Sequence, residues 1–127
     1  MAEIARVDWD EIDQPVVHTH LTTTLAGRTR AWGLHSESTD RLFVVKGLVS
    51  IVVYDARRRS PTHGLLNEFK VSERNPGLLV IPPQLFHGWK VIGADEAYTE
   101  IIESRRSGAP RADFSDNCRL RHVPRGR

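Results

Sequence analysis

Between Leu42 and Tyr54 the chain reads LFVVKGLVSIVVY, and few folds accommodate such a stretch. β-branched and aromatic side chains lose rotamer freedom in a helix but pack well on a pleated sheet. Lys46-Gly47 interrupts the run, so the reading is two short strands joined by a tight turn near Gly47. The same texture recurs along the chain. Val16 to Thr24 and Arg28 to Leu34 read as strands around Ala26-Gly27, and Leu66 to Val71 as another before the turn Ser72 to Gly77. Leu78 to Ile81 is an apolar run stopped by Pro82-Pro83, and Trp89 to Ile92 and Tyr98 to Ile102 flank the turn Gly93 to Glu96. Asp55 to Gly64 is a polar loop holding Ser60-Pro61-Thr62. Only Asp10 to Asp13 has the character of a helical turn. Closely spaced short strands without intervening helices predict an all-β sandwich or barrel, not a parallel βαβ layout.

The chain's 127 residues suit one domain, and a domain of this size folds without a disulfide or structural metal. The one cysteine, Cys118, excludes an internal disulfide or a multi-cysteine zinc site and points to a reducing compartment. The acidic N-terminus lacks the apolar run of a signal peptide, and no stretch has the roughly 18 apolar residues of a membrane span. The expectation is a cytoplasmic protein with no membrane partner. Residues 105–127 carry seven arginines against two aspartates. They are set apart as a basic tail, solvated or anchored against the domain or a partner, behind a domain of residues 1–104. The tail lacks interleaved aromatics and any reader motif, so no nucleic-acid partner is expected.

Two histidines stand where strands end. His35 closes Arg30-Ala31-Trp32-Gly33-Leu34-His35, and His87 lies in Ile81-Pro82-Pro83-Gln84-Leu85-Phe86-His87-Gly88-Trp89. An imidazole in a barrel mouth suits general-base work because it titrates near neutrality. Either histidine alone is equally a side chain satisfied by backbone. His18-Thr19-His20 has the spacing that puts two imidazoles on one strand face. A metal site would draw on His35, Glu37 and His87, a set that is incomplete as it stands.

From Gly33 to Trp89 the chain resembles the dTDP-4-dehydrorhamnose 3,5-epimerases and their cupin-fold relatives. Gly33-Leu34-His35 is similar to the family's R-G-L-H element. Arg41 to Gly47 resembles its K-L-V-R strand and turn, and Tyr54-Asp55-Ala56-Arg57 with Ser60 to Gly64 resembles its V-D-x-R-x-x-S-P-T-F-G loop. Val71 to Asn75 is similar to L-S-A-E-N, and Ile81-Pro82 to Trp89 to I-P-x-G-F-A-H-G-F. The resemblance implies a jelly-roll barrel of the cupin type acting without a cofactor or metal on a nucleotide-linked 4-keto sugar, in a homodimer. It makes His35 the base that removes a proton beside the ketone. Arg41 then stands near the family's lysine, His87 lines the pocket, and Arg30 and Arg57 pair with the diphosphate. Trp32 replaces the family's arginine before Gly-Leu-His and either stacks on a base or sugar or fills the core. The family's catalytic tyrosine falls near Glu100, itself a candidate acid, with Tyr98 two residues away on the same strand face. The aspartate that orients the family's histidine leaves Asp113 and Asp116 as candidates. A non-catalytic sugar-nucleotide-binding cupin and a metal-dependent cupin enzyme are the alternative readings.

Overall fold

In the computed structural model the chain is described over residues 3–6, 8, 15–105 and 119–122. Asp10 to Asp13, Asp113, Asp116 and Cys118 lie outside the described residues. Among the described residues there are nine strands and no helix: β1 Val16–Thr24, β2 Thr29–Gly33, β3 Ser38–Lys46, β4 Leu48–Tyr54, β5 Leu66–Ser72, β6 Gly77–Ile81, β7 Phe86–Val91, β8 Ala97–Arg105 and β9 Arg119–His122. No helix of the described residues is long and apolar enough to cross a membrane.

The strands form two antiparallel sheets, one ordered β1-β8-β3-β6-β9 and the other β2-β7-β4-β5. Among the described residues, β4 and β5 are the only strands consecutive in sequence that also pair. Every other connection leaves its own sheet or skips a neighbour, the wiring of a cupin-type jelly roll. The Lys46-Gly47 turn is where the sequence places it, but its role differs from that of a hairpin. β3 pairs with β6 and β8 while β4 pairs with β5 and β7, so at Gly47 the chain steps from one sheet to the other. Gly47 has φ +93°, and a Cβ there would stand 2.8 Å from the Ala97 side chain. A glycine is required on both counts.

The core follows the alternation expected of strands with one face inward. Leu42 and Val44 of β3, Val49, Ile51 and Val53 of β4, and Leu79 and Ile81 of β6 meet between the sheets. β6 is buried throughout because its outward Leu78 packs with Phe43 and Ile4 on the far side of the five-stranded sheet. Part of the segment set apart as a basic tail joins that sheet, since β9 pairs antiparallel with β6 from Gly77↔His122 to Val80↔Arg119.

The polar loop after β4 is organised by one carboxylate. Asp55 is fully buried and accepts two hydrogen bonds from the Arg57 guanidinium, at 2.9 and 2.8 Å, and one each from the Ser60 and Thr62 hydroxyls, at 2.6 and 2.7 Å. The Arg57 pairing, helped by the two hydroxyls and opposed by burial, holds the Asp55 carboxyl well below the usual carboxylate range. A depressed native pKa stabilises the fold above the unfolded carboxyl's pKa of about 4, and that stabilisation is lost as pH falls through the native value. Asp55→Asn should therefore cost about 3 kcal/mol at neutral pH, as expected for breaking a buried pair. In urea titrations, the gap between wild type and variant should narrow progressively below about pH 4.

Candidate active site

β2, at the edge of the four-stranded sheet, and the β1-β8-β3 side of the other sheet enclose a cavity of about 420 Å³. That volume is in the range of small-molecule sites. His35, Asp40 and His87 meet on its wall. Asp40 begins the inward row of β3 that continues as Leu42 and Val44, and it is 2% exposed. Its Oδ2 lies 3.3 Å from His35 Nε2 and 3.1 Å from His87 Nε2, and the two imidazoles stack with centroids 5.7 Å apart. Asp40 Oδ1 is buried without a hydrogen-bond partner among the described residues.

Local chain geometry delivers these groups. β2 and β7 pair so that Gly33 lies opposite His87. A Cβ on Gly33 would be 2.7 Å from His87 Nε2, so the missing side chain makes room for the imidazole. The His35 carbonyl accepts the Gln84 N–H at 2.7 Å, tying the segment after β2 to the turn that precedes His87. Gln84 holds φ +67° to do so.

Each of these ring nitrogens faces a hydrogen-bond acceptor. His87 Nδ1 is 3.2 Å from the Leu85 carbonyl and its Nε2 faces the Asp40 carboxylate. His35 turns its Nε2 to the same carboxylate. His35 is the more open of the two, with its side chain 38% exposed against 7% for His87.

Arg30 and Trp32 of β2 line the same cavity and are exposed. The Arg30 guanidinium lies 5.7 Å from the ring centre of Trp89, whose Nε1 donates to Thr24 Oγ1 at 3.2 Å. Trp32 thus stands at the cavity wall and not in the core.

Four residues expected at the site lie elsewhere, three of them for reasons of strand parity. Arg41 follows Asp40 on β3 and points to the opposite face of the sheet, where it is buried and donates to the Ser104 hydroxyl. Arg57 is engaged with Asp55 in its loop. On β8 the inward row is Ala97, Thr99, Ile101 and Glu103, so Tyr98 and Glu100 share a face as expected, but it is the outer one. The Tyr98 hydroxyl donates to Glu96 at 2.6 Å and its ring lies under Lys46.

Two carboxylates at the cavity escape the sequence reading, Asp40 and Glu103. Asp40 falls in phase with Leu42 and Val44, and that phase was the available signal. Asp40 is the carboxylate beside His35 among the described residues, and Asp113 and Asp116 lie outside them. With His35 and His87, Asp40 also makes a two-histidine, one-carboxylate set whose donor atoms lie within 4.8 Å of one another, a set able to hold a divalent metal. Glu37, expected in such a set, is exposed and outside it.

Residues 4–106 match the family described as dTDP-4-dehydrorhamnose 3,5-epimerase. The chain is 36% identical over 94 residues to a protein of Haloferax volcanii named as a probable low-salt glycan biosynthesis epimerase, Agl13, covering 73% of this chain and 60% of that one. A solved dTDP sugar isomerase from Desulfovibrio desulfuricans superposes with a TM-score of 0.76 at 29% identity, over 85% of this chain and 73% of that one. The Legionella pneumophila 3,5-epimerase RmlC, solved in complex with dTDP-4-keto-L-rhamnose, gives 0.65 at 26% identity, over 76% and 52%. The chain thus spans between half and two thirds of the length of Agl13 and of RmlC.

Asp40→Asn replaces the shared acceptor with an amide. In ¹⁵N NMR of the imidazoles the Nε2 signals of both His35 and His87 should then move from their wild-type positions, and unchanged signals in the variant would remove Asp40 from that role.

Proposed function

The chain belongs to the dTDP-4-dehydrorhamnose 3,5-epimerase family, and we propose that its cavity binds a nucleotide-linked 4-keto sugar and moves protons at the carbons beside the ketone. The observation that carries this reading is one buried carboxylate set between two imidazoles on the cavity wall, one of them open to the cavity. The hydrogens beside a ketone are weakly acidic because the carbonyl takes up the electron pair of the broken C–H bond. His35 Nδ1 accepts the proton, and Asp40 steadies the imidazolium that forms. The enolate oxygen is then negative, and the His87 imidazole is the group at hand to stabilise it. Return of a proton to the same carbon from the other face inverts the centre. Tyr98 and Glu100 lie on the outer face of β8, so that proton comes from water on the open side of the cavity.

Arg30 is the cavity's arginine for the diphosphate, and exposed Trp32 offers a flat surface for the base or sugar. Complexes of the Legionella relative with a dTDP-keto sugar support this class of ligand. The single cysteine suits the reducing cytoplasm. A homodimer completes the proposal: Val17 and Leu21 are exposed on the outward face of edge strand β1, where burial against a second copy removes apolar surface from water. Leu21→Asp should convert the dimer to a monomer in light-scattering chromatography, and an unchanged mass would place the contact elsewhere.

The direct test is deuterium uptake from D₂O into a dTDP-4-keto-6-deoxy sugar, followed by NMR on chelator-treated protein. We expect exchange at the carbons flanking the ketone, and a fall of at least about 100-fold in His35→Ala with its circular dichroism unchanged. Exchange that appears only after a divalent metal is restored would favour the metal-dependent reading. Binding of the sugar nucleotide without exchange would make the protein a binding module.

A further inference from the structure

We propose that His18, His20 and Glu103 form a divalent-cation site of the zinc class on the β1 rim of the cavity, distinct from the His35–Asp40–His87 cluster. The placement follows from strand geometry. His18 and His20 are two residues apart on β1 and share its inward face with Thr22 and Thr24. Their rings stack with centroids 4.8 Å apart. β8 runs antiparallel beside β1 in a register that sets His18 opposite Glu103 and His20 opposite Ile101, so the Glu103 carboxylate comes up beside the pair. One donor atom from each of the three residues lies within 4.8 Å of the other two.

The spacing suits an ion better than it suits the side chains alone. His18 Nδ1 and Glu103 Oε1 are 3.7 Å apart, beyond a good hydrogen bond. Two donors on one tetrahedral zinc, each about 2.0–2.2 Å from it, stand roughly 3.3–3.5 Å apart. His20 Nδ1 is buried with no hydrogen-bond partner among the described residues, an uncompensated cost that a bound ion would offset. In the neighbouring cluster, by contrast, Asp40 Oδ2 already has an imidazole nitrogen at 3.3 Å and another at 3.1 Å.

Two neutral imidazoles and one carboxylate favour zinc, cobalt or nickel over magnesium or calcium. Three protein ligands leave at least one position open. His20 and Glu103 line the cavity, so that position faces the space where a ligand would sit. His18 is exposed on the edge strand and supplies the entry path. The site does not depend on the isomerase reading.

The test is a titration of the full chain, without a polyhistidine extension, with Co²⁺ read by its visible absorption and then displaced by Zn²⁺. One equivalent should bind to the wild type and equally to Asp40→Asn. In His18→Ala and Glu103→Gln, which alter exposed or rim positions of a paired strand, affinity should fall at least about 10-fold, with folding checked by circular dichroism. Loss of the cobalt spectrum in Asp40→Asn with retention in Glu103→Gln would put the ion in the other cluster and overturn the proposal. So would the absence of any spectrum at millimolar cobalt.

Discussion

A carboxylate removed from water has to be met by donors, and Asp40 imposes that requirement on the rest of the site. It stands on the central strand of the five-stranded sheet, in the row that otherwise supplies Leu42 and Val44 to the core. Any shift of β3 by one residue would bury Arg41 among the aliphatic side chains and turn Asp40 outward. The hydrophobic register that seals the core is therefore the same register that aims the carboxylate at His35 and His87. Burial leaves one Asp40 oxygen without a partner, a cost on the order of 1–3 kcal/mol. A stability cost of that kind is common where a site must present charge to a ligand.

The two histidines reach Asp40 through the other sheet. β2 and β7 come together at Gly33 and Gly88, where a side chain on either glycine would collide with the facing strand: Gly33 with His87, Gly88 with Ala31. The hydrogen bond from Gln84 to the His35 carbonyl closes the arrangement from the loop side. In contrast, the Asp55–Arg57–Ser60–Thr62 cluster satisfies itself internally and does not line the cavity. Its residues are those of the S-P-T loop, so an element that resembles a family signature here serves to hold a loop.

The apolar texture between Leu42 and Tyr54, the stop at Pro82-Pro83 and the turn residues near Gly47 and Gly93 were enough to place most strands. Backbone sterics and side-chain shape act locally, and they leave their mark within a few residues. Pairing does not. Among the described residues, six of the seven strand pairs join elements that are not consecutive in the chain, and β4 with β5 is the one hairpin. Gly47 looks the same in sequence whether the chain folds back or changes sheets.

The order of residue types settles the fold class and most strand positions, and it singles out His35 and His87, because residue types and their order carry those properties. It also determined that Tyr98 and Glu100 share a face, since strand parity is a property of spacing alone. Which face looks into the cavity was decided only by tertiary structure, because that depends on what packs against β8. The same is true of Arg41, one position from the carboxylate yet on the far side of the sheet. Asp40 was in plain view as the last residue of a polar triplet. Its role emerged only when β3, β2 and β7, from separate stretches of the chain and both sheets, met around it.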